Sequence, residues 1–328
     1  MASSGTNYLY QYFTVYFPSD RPYVAHVEIN RPDKLNTFIE LYVRTQHTFT
    51  LRSHLLFLHQ WRSADGLDRM WLEMRQVFDR LSSDSSVRAI VLTGAGNRAF
   101  SAGLDVKQAS TELFGDKGGS DTARKTFHIR RFIYQFQECL TAIERCEKPV
   151  ICTMHGFSYG FAIDICAAAD IRLCTRDVQF SVKEVDIGMA ADIGVLSRLP
   201  KVVGNFGWVK EVALSARIFG AEEALRVGFV NTVYETKQDA VEGSLALASL
   251  IAQKSPVAVL GTKELLNYSR DHSIQEGRHS GSPCALIYIL LLSITRSSLH
   301  RGLEQCCRTN KRSPDCLIIR HRKTSPNI

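Results

Sequence analysis

Three acidic residues fall where solvent-facing side chains are not expected. Asp164 sits inside the small-residue run AIDICAAA, Glu184 follows the strand-like run 178–182, and Asp192 is flanked by Met189, Ala190, Ala191, Ile193 and Val195. An ionised carboxylate without a partner is costly to bury, so acids in such surroundings are candidates for proton chemistry. A single Asp near a helix start is more often a cap or a solvated side chain. Asp170 and Asp186, at a strand start and beside a turn, read that way. The other three stand apart as a constellation within 155–192, where the turn-rich HGFSYG precedes a small-residue helix and a second strand follows. Two carboxylates in one dry pocket cannot easily both ionise, so one held neutral serves as acid and the other as base.

The stretch FAID together with VKEVDIGMAADIG, preceded by AFSAGLD, resembles the acyl-CoA-binding core of the enoyl-CoA hydratase/isomerase (crotonase) superfamily, most closely its Δ3,5-Δ2,4-dienoyl-CoA isomerase branch. The resemblance covers roughly 23–40 and 70–277. It implies an α/β fold, the crotonase (ClpP-like) spiral of ββα units with a helical C-terminal region that builds trimer contacts. It also implies isomerisation of 3,5-dienoyl-CoA to 2,4-dienoyl-CoA in fatty-acid beta-oxidation, in peroxisome or mitochondrion. Asp164, Glu184 and Asp192 match the three acids of that branch, with Glu184 taking a C2 proton, Asp192 returning one at C6 and Asp164 tuning their charge. The backbone N–H groups of Ala102 and Phe161 match the pair that donates to the thioester oxygen, and donors so aimed stabilise an enolate whatever their side chains. Phe161 departs from the Gly usual there. Lys34, Ser101, Gly103, Asp105 and Gly160 fall on the substrate- and CoA-binding side, although a lone Lys in a turn is more often simply solvated. No cofactor beyond the acyl-CoA substrate and no metal is implied, and the expected assembly is a homotrimer or dimer of trimers. Rival readings are an enoyl-CoA hydratase, disfavoured because a hydratase carries Glu where Asp164 stands, and an inactive chain of the same family.

These residues need elements to hold them. Residues 24–30 alternate, with Ala25, Val27 and Ile29 on one face and His26 and Glu28 on the other, which predicts a half-buried strand. The turn NRPDKLN follows, and VRAIVLT at 87–93 reads as a buried strand. Apolar spacing predicts helices over 70–84, 127–146, 212–216, 238–253 and 256–268, and a polar, Gly-rich loop over 107–125. Gly94-Ala95-Gly96 lacks the further Gly spacing and the Lys-Ser/Thr of a phosphate cradle.

Two stretches break the pattern. Residues 41–69 carry no sustained periodicity, and deleting them joins NTFIE to MWLEM as one continuous helix; codons for their ends can be chosen to spell intron signals. We read them as an insertion foreign to the core. From 278 the family-like pattern stops, and codons for 299–307 can be chosen that, read one base later, spell a family-like helix; 278–328 is therefore read as a frame-shifted or intron-derived tail.

The chain's 328 residues, 45% of them hydrophobic, suffice for one large core or two modest ones. The formal charge of +7 invites a nucleic-acid reading. That reading fails on distribution, because 278–328 carry nine Lys/Arg against two Asp/Glu and so supply all of it. Nine cysteines without CxxC pairs read as reduced thiols of an intracellular protein. The chain opens on polar-aromatic residues with no targeting segment evident, and the apolar run 285–294 is too short for a membrane span.

Overall fold

The computed structural model describes residues 8–42, 67–105 and 121–279. The expected insertion lies outside the described residues over 43–66, the Gly-rich loop over 107–120, and the tail from 280 onward.

The strands are β1 (Phe13–Tyr16), β2 (Val24–Ile29), β3 (Glu40–Tyr42), β4 (Leu67–Arg69), β5 (Ala89–Gly94), β6 (Ala99–Ser101), β7 (Val150–Met154), β8 (Phe157–Tyr159), β9 (Ile171–Thr175), β10 (Gln179–Ser181), β11 (Phe219–Gly220) and β12 (Thr232–Tyr234). The helices are α1 (Met70–Ser83), α2 (Thr122–Arg145), α3 (Phe161–Ala168), α4 (Val195–Val203), α5 (Phe206–Ser215), α6 (Ala221–Arg226), α7 (Lys237–Ala252), α8 (Pro256–Asp271) and α9 (Ile274–His279).

A six-stranded sheet runs in the order β1-β2-β5-β7-β9-β12, and a four-stranded sheet runs β11-β10-β8-β6. Successive strands divide between them. β5, β7 and β9 pair in parallel in the large sheet, while their followers β6, β8 and β10 pair in parallel in the small one. A helix follows each pair, which is the spiral of ββα units that the sequence led us to expect. The central strands read as continuous apolar runs because helices or sheet cover both their faces; all six residues of β5 are buried.

One expectation is corrected by this cover. β2 is not half-buried: Ala25, Val27 and Ile29 face the main core, but Val24 lies in a second apolar cluster with Ala248 and Ala252 of α7, and His26 on that side is only 2% exposed.

On the other face α1 packs on α2. Met70, Trp71, Met74, Val77, Phe78 and Leu81 form its buried stripe at helical spacing. Trp71 meets Phe136 at 4.6 Å, and Phe136 meets Phe161 at 4.6 Å, so an aromatic chain joins these two helices to the start of α3. Each such ring contributes about 1.5–3 kcal/mol by burial. The Asp121 side chain caps α2 by accepting from Arg124 N–H. β3 and β4 form an antiparallel pair in which Glu40 faces Arg69, and Met70 N–H donates to Ile39 carbonyl at 3.1 Å. Residues 42 and 67 are thus paired neighbours at the two ends of the segment 43–66.

Residues 1–259 form one compact unit and 260–328 another; within the second, the described elements are the remainder of α8 and the helix α9. No single described helix is long and apolar enough to cross a membrane.

Candidate active site

The site begins at a glycine. Gly160 ends β8 with φ +52° and ψ −121°, a conformation essentially closed to other residues, and its N–H donates to Ser181 carbonyl at 2.9 Å. This turn starts α3, whose first residue is Phe161. Despite replacing the expected Gly, Phe161 fits without disturbing the turn, because Gly160 takes the positive φ and the Phe161 ring is buried against Phe38 and Phe136.

One helical turn on, Asp164 is 1% exposed. Its Oδ1 accepts Val195 N–H at 2.6 Å, tying α3 to the start of α4. Burial pushes its carboxyl well above the usual carboxylate range, and the negative charge of Glu184 pushes it further. The backbone hydrogen bond and the Arg198 cation act the other way without reversing the direction.

Glu184 opens the 3-10 turn Glu184–Ile187. A Cβ placed on Gly160 would stand 3.3 Å from its Oε1, while its Oε2 is buried with no hydrogen-bond partner among the described residues. Burial raises its pKa and backbone hydrogen bonds lower it, with the Asp192 charge adding to the rise. Glu184 therefore feels both other acids, and the three form one electrostatic cluster.

Asp192 differs from the expectation of a dry pocket, because its residue is exposed. The segment between Gly188 and Gly194 runs over the surface, held by its main chain. Asp192 N–H donates to Ala190 carbonyl at 2.9 Å, and Asp192 carbonyl accepts from Gln137 Nε2 at 2.9 Å.

The expected oxyanion donors need one correction. Ala102 N–H already donates to Leu35 carbonyl at 2.9 Å and cannot also serve a thioester oxygen. Phe38 takes up the neighbouring groups, donating to Gly103 carbonyl and accepting from Asp105 N–H, which leaves the Leu104 N–H between them without a partner among the described residues. Phe161 N–H, in the first turn of α3, is likewise unpaired among the described residues. A Cβ on Gly103, whose φ is +89°, would meet Tyr159 carbonyl at 2.7 Å and Phe161 N at 3.4 Å, so the Gly103–Leu104 peptide lies against the start of α3. The N–H groups left without a partner among the described residues on the two sides of this contact are thus those of Leu104 and Phe161, and Phe161 follows the glycine that abuts Glu184.

The remaining predicted residues divide. Ser101 does not face a ligand: it is fully buried, its hydroxyl donates to Asn36 carbonyl at 2.8 Å and accepts Gly103 N–H at 3.2 Å, so it braces the loop. Asp105 pairs with Arg31 at 3.3 Å, linking the loop's end to the NRP turn. Lys34 lies exposed at the end of that turn, Pro32–Lys34. The sequence reading missed Asn36, which is fully buried, donates to the Ala95 and Ala99 carbonyls and accepts Arg31 N–H, and so holds the turn to the loop. An Asn in a turn gives little warning of that role. Among the described residues no group of His, Cys, Asp or Glu is arranged to hold a metal ion.

A two-sheet spiral of ββα units, with an unpaired helix-start N–H next to the glycine that abuts a buried carboxylate, marks the class. The chain belongs to the enoyl-CoA hydratase/isomerase family, which matches residues 67–282. It is 40% identical over 267 residues to the mitochondrial Delta(3,5)-Delta(2,4)-dienoyl-CoA isomerase of Homo sapiens, covering 81% of this chain and 72% of that one. To the peroxisomal Delta(3,5)-Delta(2,4)-dienoyl-CoA isomerase of Arabidopsis thaliana it is 39% identical, covering 77% and 81%. The crystal structure of enoyl-CoA hydratase from Bacillus anthracis shares the fold with a TM-score of 0.65 at 21% identity, covering 84% of this chain and 90% of that one.

Proposed function

We propose that this chain converts 3,5-dienoyl-CoA to 2,4-dienoyl-CoA, in mitochondrion or peroxisome. The observation that carries the proposal is the Glu184 carboxylate, whose buried Oε2 has no partner among the described residues and whose Oε1 abuts Gly160, the residue before the unpaired Phe161 N–H. The thioester oxygen sits on the N–H groups of Leu104 and Phe161, which stabilise the charge that develops when a C2 proton leaves. Glu184 takes that proton; its raised pKa makes it a stronger base than an ordinary carboxylate. The electron pair from the C2–H bond forms C2=C3, the C3=C4 pair moves to C4=C5, and the C5=C6 pair takes a proton at C6 from Asp192. One proton is lost and one gained. Burial shifts Asp164 toward its neutral form, which lessens the negative charge beside Glu184 as the dienolate forms.

The purified chain is tested on a 3,5-dienoyl-CoA by following the ultraviolet absorbance of the conjugated product, with crotonyl-CoA hydration as the parallel assay. Growth of the 2,4-dienoyl chromophore without hydration supports the proposal; hydration without isomerisation overturns it.

A further inference from the structure

The face of α2 turned toward α4 meets the segment 192–198 at three successive points. Gln137 Nε2 donates to Asp192 carbonyl at 2.9 Å. Leu140 Cδ1 lies 2.7 Å from where a Cβ on Gly194 would stand, so the Leu140 side chain packs directly on the Gly194 backbone. Glu144 Oε2 accepts from Arg198 Nη2 at 2.9 Å and from Arg198 Nε at 3.2 Å, with Thr141 Oγ1 accepting from Arg198 Nη2 at 3.4 Å. Gln137, Leu140, Thr141 and Glu144 follow the helical spacing of one face. The three contacts run in the same order along both segments, and Arg198 is half-buried with its side chain only 13% exposed. At the far side of the same segment Val195 N–H is held by Asp164. No other described side chain holds the Asp192 main chain.

We infer that Gln137 is a positioning residue: with the Glu144–Arg198 pair it fixes the register of Asp192 against Glu184, and so governs the second proton transfer alone. The inference rests on the isomerase reading. Gln137 bonds the main chain of Asp192 and not its carboxylate, which is exposed on a surface segment where small displacements are least resisted. A misplacement on the order of 1 Å at a reacting group lowers rate by up to about a hundredfold.

The test separates the two proton steps. Gln137→Leu keeps the bulk and removes the donor at a partly exposed position; Glu144→Gln weakens the second clasp independently. Each variant and the wild-type chain are given a 3,5-dienoyl-CoA in deuterium oxide, and isomerisation is followed by absorbance while deuterium entering C2 of recovered substrate is read by mass spectrometry. For Gln137→Leu we expect kcat for isomerisation to fall about tenfold with KM unchanged, and deuterium at C2 to rise because the dienolate returns to substrate. Equal loss of isomerisation and exchange indicates a general structural role and overturns the inference, as does unchanged isomerisation. If the wild-type chain itself makes no 2,4-dienoyl product, the isomerase reading falls and takes this inference with it.

Discussion

Gly160 and Glu184 are fitted to each other: a methyl on the glycine would stand 3.3 Å from Glu184 Oε1, and the glycine's φ of +52° is one an L side chain rarely adopts. The same backbone turn starts α3, whose first N–H, that of Phe161, has no partner among the described residues.

Gly160→Ala is therefore expected to strain both the turn and the carboxylate. The backbone cost alone is about 1–3 kcal/mol. A lowered urea midpoint together with a fall in kcat larger than any change in KM is the expected result; a variant with wild-type stability and rate contradicts the fit described here.

Asp164 makes stability depend on pH in a definite direction. Its folded pKa is raised, so the folded state holds a proton that the unfolded state has already lost above the ordinary value of 3.8. Stability is then full below that value and declines as pH rises through the folded pKa. Asp164→Asn keeps an oxygen for Val195 N–H and removes the titration. We expect the variant to gain stability relative to the wild type between pH 5 and pH 8, measured by urea unfolding at each pH.

His26 and His155 act at the acid side. Burial holds both near a pKa of about 4, below the usual 6.5, with the Lys237 ammonium contributing in each case. His26 bonds Thr93 Oγ1 and His155 bonds Gly96 carbonyl, where Lys237 also donates to the Gly94 and Gly96 carbonyls. Because the unfolded chain binds protons first, stability is present above 6.5 and is lost as pH falls toward 4, by up to about 3 kcal/mol for each histidine. His155→Gln is expected to flatten that fall; an unaltered acid limb in the unfolding midpoint refutes the assignment.

The paired ends at Glu40 and Arg69 bear on residues 41–69, which we propose are foreign to the core. With Met70 N–H already donating to Ile39 carbonyl, deleting 41–69 asks little of the flanking backbone. The deletion variant is expected to unfold cooperatively at a temperature no lower than that of the full chain. A loss of cooperative unfolding shows that the segment belongs to the fold.

What could be read in advance was local. The burial of Asp164 was legible because its apolar neighbours in sequence, Ile163 and Ile165, are its buried neighbours in α3. The helices over 70–83 and 237–252 followed from periodicity, since their burial is set by the stripe each carries. The failures share one physical cause. Whether Ala102 or Leu104 offers an unpaired N–H depends on the Leu35 carbonyl, supplied by a turn remote in sequence. The polar face of β2 is buried only because α7, more than two hundred residues later, lies across it. Asp192 has apolar neighbours yet is exposed, because only Ala191 and Val195 of them turn fully inward while the segment crosses the surface.

The central claim is that Glu184 and Asp192 divide two proton transfers, and it is tested most directly by isomerisation and C2 deuterium exchange of Glu184→Gln and Asp192→Asn side by side. The account predicts that Glu184→Gln loses both, while Asp192→Asn loses isomerisation and keeps exchange. Isomerisation at the wild-type rate in Asp192→Asn, or undiminished exchange in Glu184→Gln, contradicts it.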